Sequence, residues 1–238
     1  MSDLYIREIN IDWSFVKETS YLRKIPVLSS LNHLAFHRNI TFFAGENGTG
    51  KSTLLEGIAV ASGFNAEGGT RNYAFSTYDD VSELSEAIRI IRGARKLRFG
   101  YFLRAESFYN VASVTMTLYN DDGTLPDYHS ESHGESFLTF ITRCDPNGLY
   151  LMDEPEAALS PQRQLTLLIH LMSMAEKGAQ FIIATHSPIL LGIPNAEILS
   201  FDGDTLHPLE YEETESYKIT KLFVENRERI LKELMEED

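Results

Sequence analysis

Three short apolar runs that each stop abruptly at polar residues, together with a long helical pattern between two of them, predict an α/β fold: a mixed sheet with flanking helices. The runs are Ile40–Ala44, 149–152 and 181–184. Strands apolar on both faces are those buried in the middle of a parallel sheet. Between the last two, Pro161–Glu176 has apolar side chains at 165, 167, 168, 169, 171, 172 and 174, which suits a helix packed on a sheet, and Gly178 ends it. A strand, helix and parallel strand in succession make one crossover unit.

The remaining elements follow in order. Residues 5–11 alternate apolar and polar side chains and read as a partly exposed strand near a sheet edge. Residues 70–135 are of a different kind: an aromatic-rich segment at 73–78, a helix-like stretch at 81–98, and an alternating run at 111–119 before the turn Asp121-Asp122-Gly123. They are expected to form a small second lobe, helical in part. Residues 217–235 place Ile219, Leu222, Phe223, Ile230 and Leu234 at helical spacing. This amphipathic helix is expected to dock on the body of the chain, with a partner as the alternative. No repeat or heptad run is present, which excludes a coiled coil.

A chain of 238 residues accommodates one large domain, here 1–238 with its lobe, and can bury roughly 70% of its unfolded surface without a disulfide or structural metal. Acids outnumber bases 35 to 21, giving a net charge of −14, so the surface as a whole repels phosphate backbones. Wholesale coating of nucleic acid is excluded. The apolar runs fall far short of the roughly 18 residues of a membrane span, and residues 1–10 lack a signal-peptide core, so a cytoplasmic location is expected. Cys144 is the only cysteine and reads as a small packed side chain.

The chemistry begins at Gly45, Glu46, Asn47, Gly48, Thr49, Gly50, Lys51, Ser52 and Thr53, which fit G-x-x-x-x-G-K-[ST] between a predicted strand and a predicted helix. In such a P-loop the glycines let successive N–H groups turn inward onto phosphate oxygens, and the helix N-terminus adds its dipole. Lys51 is placed to reach the β- and γ-phosphates, and the Ser52 hydroxyl to ligate Mg²⁺. The run at 149–152 then delivers Asp153 and Glu154, one carboxylate to hold the metal and the next to polarise the attacking water. A second apolar strand ends in Thr185-His186-Ser187. A histidine at that tip can contact the γ-phosphate, although a lone histidine is more often structural.

In this order and spacing, over residues 40–190, these segments resemble the ABC-type ATPases, and within them the soluble branch related to SMC and RecF proteins and to small stand-alone bacterial ATPases. The resemblance implies ATP and Mg²⁺ as ligands, with Lys51, Glu154 and His186 serving catalysis. It further implies that Ser132-His133-Gly134-Glu135-Ser136 is the signature motif, Ala157-Ala158-Leu159-Ser160 the D-loop and His186 the switch histidine. In that family the signature of one subunit, here Ser132 and the Gly134 backbone, closes on ATP held by another, so an ATP-dependent homodimer is implied. Glu131 and His133 depart from the family's Leu-Ser-Gly-Gly-Gln, and no Q-loop glutamine is present. Glu106 stands at that place as the implied metal-side equivalent, with an ordinary exposed acid as the alternative.

Arg89, Arg92, Arg95 and Lys96 would share one face if 81–98 is helical. That face is either solvated or a docking strip for an effector protein or nucleic acid. The expected function is therefore a soluble ATPase whose ATP-driven closure acts on a partner protein or nucleic acid. The alternatives are the nucleotide-binding subunit of an ABC transporter, or a non-hydrolysing ATP-gated binding module.

Overall fold

The computed structural model describes residues 4–70, 83–104, 133–142, 144–157 and 159–236, with the backbone alone for 133–137. Its strands are β1 (Ile6–Ile11), β2 (His33–Ala35), β3 (Ile40–Ala44), β4 (Gly69–Thr70), β5 (Ile88–Arg92), β6 (Phe99–Arg104), β7 (Gly148–Asp153), β8 (Gln180–Ala184), β9 (Glu197–Ser200) and β10 (His207–Pro208). Its described helices are α1 (Pro26–Ser29), α2 (Lys51–Ala61), α3 (Glu83–Ala87), α4 (His133–Thr142), α5 (Pro161–Glu176), α6 (Pro188–Leu191) and α7 (Glu215–Glu236).

The main sheet has the order β10-β9-β3-β8-β7-β6-β4. β9, β3, β8, β7 and β6 run parallel, and the short β10 and β4 close the two edges antiparallel. The three apolar runs read from the sequence lie in its middle, as β3, β7 and β8. Their side chains divide between two cores. Phe43, Leu151 and Ile182 pack with Leu54, Leu55 and Ile58 of α2 on one face, while Phe42, Tyr150 and Ile183 pack with Leu167 and Leu171 of α5 on the other. This is an α/β P-loop NTPase fold with a mixed, mostly parallel sheet and helices on both faces. Register brings the C-terminal ends of the strands together, since Phe43 and Asp153 both pair with Ala184, Arg104 with Asp153, and Ala44 with Ser200. Crevices outside the carboxyl ends of such strands are where α/β sheets hold ligands.

Three expectations are corrected. β1 is the central strand of a separate three-stranded antiparallel sheet, β2-β1-β5, rather than an edge strand. A register shift between Ile6 and Glu8 breaks the simple alternation, so that Ile6, Ile9 and Ile11 are all buried. The stretch at 81–98 is not one helix: α3 gives way to β5, because the β-branched Ile88-Arg89-Ile90-Ile91 favours an extended chain that pairs with β1. Residues 83–104 consequently belong to the body. Leu84, Ala87 and Ile88 are buried against α2, where Gly57 leaves room: a Cβ there would lie 2.9 Å from Ile88 Cδ1. The segment at 73–78, the run at 111–119 and the turn at 121–123 lie outside the described residues.

The third correction concerns the tail. α7 is helical over Glu215–Glu236, but none of its residues is buried, and Ile219, Leu222, Phe223, Val224 and Leu234 are exposed. Its root is held where the Tyr211 and Tyr217 rings meet at 4.7 Å and Tyr211 Oη donates to Pro188 O at 2.9 Å. At Asn226 the backbone leaves helical geometry, and the Asn226 side chain bonds Leu222 O. Beyond its root the helix is therefore not docked on the described body.

Candidate nucleotide-binding site

Residues 45–50 leave β3 and enter α2 through three glycines with positive φ. Gly45 shows why no other residue serves at the first position. Its φ is +142°, and a Cβ would sit 2.9 Å from Asp202 Oδ1. That Asp202 oxygen accepts from Glu46 N at 2.8 Å. Asp202 is in turn set by Phe201, whose N–H donates to Ala44 O at 2.7 Å and whose ring meets Phe43 at 5.1 Å.

Lys51 opens α2 with its side chain turned back under the loop, where Nζ donates to Gly45 O at 2.7 Å and Glu46 O at 2.6 Å. The residue is only 4% exposed. Burial pulls its ammonium below its usual pKa, and the carboxylates of Glu154, Asp202, Asp153 and Glu156 pull the other way. One residue on, Ser52 Oγ donates to Asp153 Oδ1 at 2.8 Å across from β7. Burial raises the Asp153 carboxyl above its ordinary range, against the Ser52 hydrogen bond and the Arg104 charge. A hydroxyl beside a half-buried carboxylate supplies the hard oxygen donors that Mg²⁺ takes when phosphates complete its shell. Among the described residues no group of three or more His, Cys, Asp or Glu forms a metal cage, and Mg²⁺ with a phosphate needs none.

Glu154 has φ +47°, an uncommon backbone for a non-glycine residue, and its N–H donates to Ala184 O at 2.9 Å. The turn points its carboxylate across the gap toward β8. There His186 Nε2 lies 3.7 Å from Glu154 Oε1, with no hydrogen-bond partner among the described residues. The lysine, the hydroxyl–carboxylate pair, the second carboxylate and the imidazole thus lie together at the carboxyl ends of β3, β7 and β8. A cavity of about 540 Å³ opens on the outer side of the loop, between Lys24–Val27, Glu46–Thr49 and Gly203.

A family model described as "AAA domain" matches residues 22–135, and a second, "AAA domain, putative AbiEii toxin, Type IV TA system", matches residues 102–192. Each model covers less than half of the chain, and together they show likeness to AAA-type domains over residues 22–192. Solved structures similar to the chain include the following two. One, "Structure of cbiO1 from clostridium perfringens: Part of the ABC transporter complex cbiONQ", is 17% identical, covers 98% of this chain and 99% of its own, and has a TM-score of 0.48. The other, "An inward-facing conformation of a putative metal-chelate type ABC transporter", is 20% identical, covers 76% of each chain and has a TM-score of 0.44. No curated protein matched. At this likeness neither structure assigns transport to this chain, and the SMC/RecF branch within the ABC-type ATPases has no support from these matches.

Of the residues that the sequence nominates, 45–53, Asp153, Glu154 and His186 are gathered at one place. Gly134 lies in the first turn of α4. Ser132 and Glu106 lie outside the described residues. The basic strip does not exist as a helical face. Arg89 and Arg92 are on β5, whereas Arg95 donates to Gly178 O and Asn147 Oδ1 and covers the Tyr5 ring at 4.7 Å. Arg95 therefore pins the antiparallel sheet to the turn after α5, and its charge is not offered to a ligand.

Three site residues escaped the sequence reading. Asp202 braces the loop from a turn with no motif. Arg104, which follows Leu103 on β6, pairs with Glu56 at 2.8 Å and donates to Ala66 O at 3.0 Å beside Asp153. Glu156, two residues after the proposed base, binds the tip of β8. Only Glu156 left a signal: a third acid within 153–156, where a solvated turn needs none.

Proposed function

We propose that this chain binds ATP with Mg²⁺ across residues 45–53 and Asp153, hydrolyses it with Glu154 as general base, and couples closure of two copies around ATP to work on a partner. The observation that supports it most is the convergence of Lys51, the Ser52–Asp153 pair, Glu154 and His186 at the adjacent ends of β3, β7 and β8. Phosphoryl transfer asks little covalent chemistry of a protein beyond positioning and charge. Lys51 exchanges its two carbonyl partners for phosphate oxygens, and the loop N–H groups cradle the same anion. Ser52 and Asp153 would hold Mg²⁺, which neutralises charge between the phosphates when bound. Glu154, open to the crevice, takes a proton from the attacking water, and His186 holds the γ-phosphate side in place.

Glu154→Gln keeps the shape of that side chain and removes its basicity. ATP hydrolysis should fall roughly 10²- to 10⁴-fold while ATP binding, measured by calorimetry, survives. Hydrolysis near the parent rate would remove Glu154 from the mechanism, whereas a parent protein that binds ATP without hydrolysing it would be an ATP-gated binding module.

What closure drives divides into two readings: a soluble partner or nucleic acid, or the membrane subunits of a transporter. No helix of the described residues is long and apolar enough to cross a membrane. Cell fractionation separates the two readings, since a transporter subunit sediments with membranes and a soluble machine stays in the supernatant.

A further inference from the structure

We propose that Glu156 is a positioning residue that holds His186 opposite Glu154, a role that rests on the ATPase reading above. A single carboxylate oxygen, Glu156 Oε1, accepts from Thr185 Oγ1 at 2.7 Å, His186 N at 2.7 Å and Ser187 N at 3.1 Å. Three donors on consecutive residues converge on one anion, the arrangement by which a backbone concavity grips a negative charge. Here the protein supplies its own anion, and the loop after β8 is fixed by it. The same loop is joined to the neighbouring turn by Glu154 N on Ala184 O, so base and histidine are referenced to one hydrogen-bonded unit.

A second brace runs in parallel. Ser187 Oγ donates to Gln164 Oε1 at 2.6 Å, Gln164 Nε2 donates to Leu159 O at 3.1 Å, and Leu159 N returns to Glu156 O at 2.8 Å. The circuit ties Glu156 and Leu159 to 185–187, so a displacement of Glu156 is carried to His186. A fully exposed surface acid would have no reason to be enclosed in this way: Glu156 Oε2 is itself buried, with no partner among the described residues. That oxygen also makes the glutamine variant informative, because Glu156→Gln keeps an acceptor for the three donors but places its amide hydrogens where nothing receives them.

The test combines amide exchange with kinetics. In Glu156→Ala the amides of His186 and Ser187 should exchange about tenfold faster or more, while those of Ile182 and Ile183 in β8 are unchanged. The kcat for ATP should fall roughly tenfold to a hundredfold with ATP affinity little altered. Placed in a His186→Ala background, the same substitution should add less than about threefold, because its effect passes through the missing imidazole. Glu156→Gln keeps an acceptor and should retain most of the exchange protection and of kcat, whereas Glu156→Asp, which keeps the charge but shortens the reach to the three donors, should raise exchange at 186 and 187 and carries the test if the alanine variant does not fold. Unchanged exchange at 186 and 187 in the alanine or aspartate variant, or a full loss of kcat persisting without His186, overturns the proposal. The exchange measurement needs no nucleotide, so a parent protein that neither binds nor hydrolyses ATP sinks the ATPase reading separately from the tether.

Discussion

Lys51 and Asp153 are both held where water is scarce, and each is shifted toward its neutral form by that burial. For Lys51 the cost is offset by two carbonyls and a ring of carboxylates, and the arrangement exchanges readily for a phosphate. Lys51→Ala removes a charge-assisted contact worth roughly 1.5–3 kcal/mol, so ATP affinity should drop about tenfold to a hundredfold in calorimetry on a folded variant. Asp153 carries a pH consequence. Its folded pKa is raised above 3.8, so the stability it contributes is greatest below that value and is lost as pH rises through the raised one. A proton also competes with Mg²⁺ for the carboxylate at higher pH than at an ordinary aspartate. The Mg²⁺ concentration for half-maximal turnover should climb as pH is lowered toward the raised value, and the thermal stabilisation by Mg²⁺ and ATP should shrink with it. A flat Mg²⁺ requirement as pH falls would place the metal on other ligands.

Between elements, the least expected join is made by one amide. Gln180, fully buried at the start of β8, accepts from Ile6 N and donates to Ile6 O, each at 2.8 Å. It acts as a substitute ladder residue that ties the three-stranded sheet to the main one. Gln180→Leu would fit the apolar surroundings yet leave a buried N–H and C=O unpaired, at about 1–3 kcal/mol each. Urea unfolding should show a loss of roughly 2–6 kcal/mol, and a variant as stable as the parent would mean that Ile6 finds other partners. β5 teaches a related lesson. Read alone, 81–98 has helical spacing for its arginines, and only the waiting edge of β1 makes the extended form the better way to satisfy its backbone.

For the whole molecule, the crevice is walled by β3, β7 and β8 loops on the described side, and the family resemblance implies that a second copy supplies Ser132 and the Gly134 backbone from the other. Donors preorganised around developing charge commonly account for several kcal/mol of barrier. ATP should therefore convert the hydrolysis-blocked Glu154→Gln protein from monomer to dimer in light scattering, and the specific activity of the parent should fall on dilution. A variant that stays monomeric with saturating ATP, with parent activity independent of concentration, would require a catalytic unit of one chain.

By itself the sequence determined the α/β class, the three central strands, the P-loop and the acids at 153 and 154, because each is a local pattern whose backbone and chemical demands are met within about ten residues. The order β3-β8-β7, the central place of β1 and the conversion of 88–92 to a strand were decided only in three dimensions. These depend on which edge a segment meets. The same holds for the parts of the site that lack a motif. Asp202 and Arg104 reach the loop and Asp153 from distant elements, and Glu156 gains its meaning from donors about 30 residues away. The apolar stripe of the tail was legible, but its docking was not: periodicity reports which face avoids water, and only packing decides what covers it.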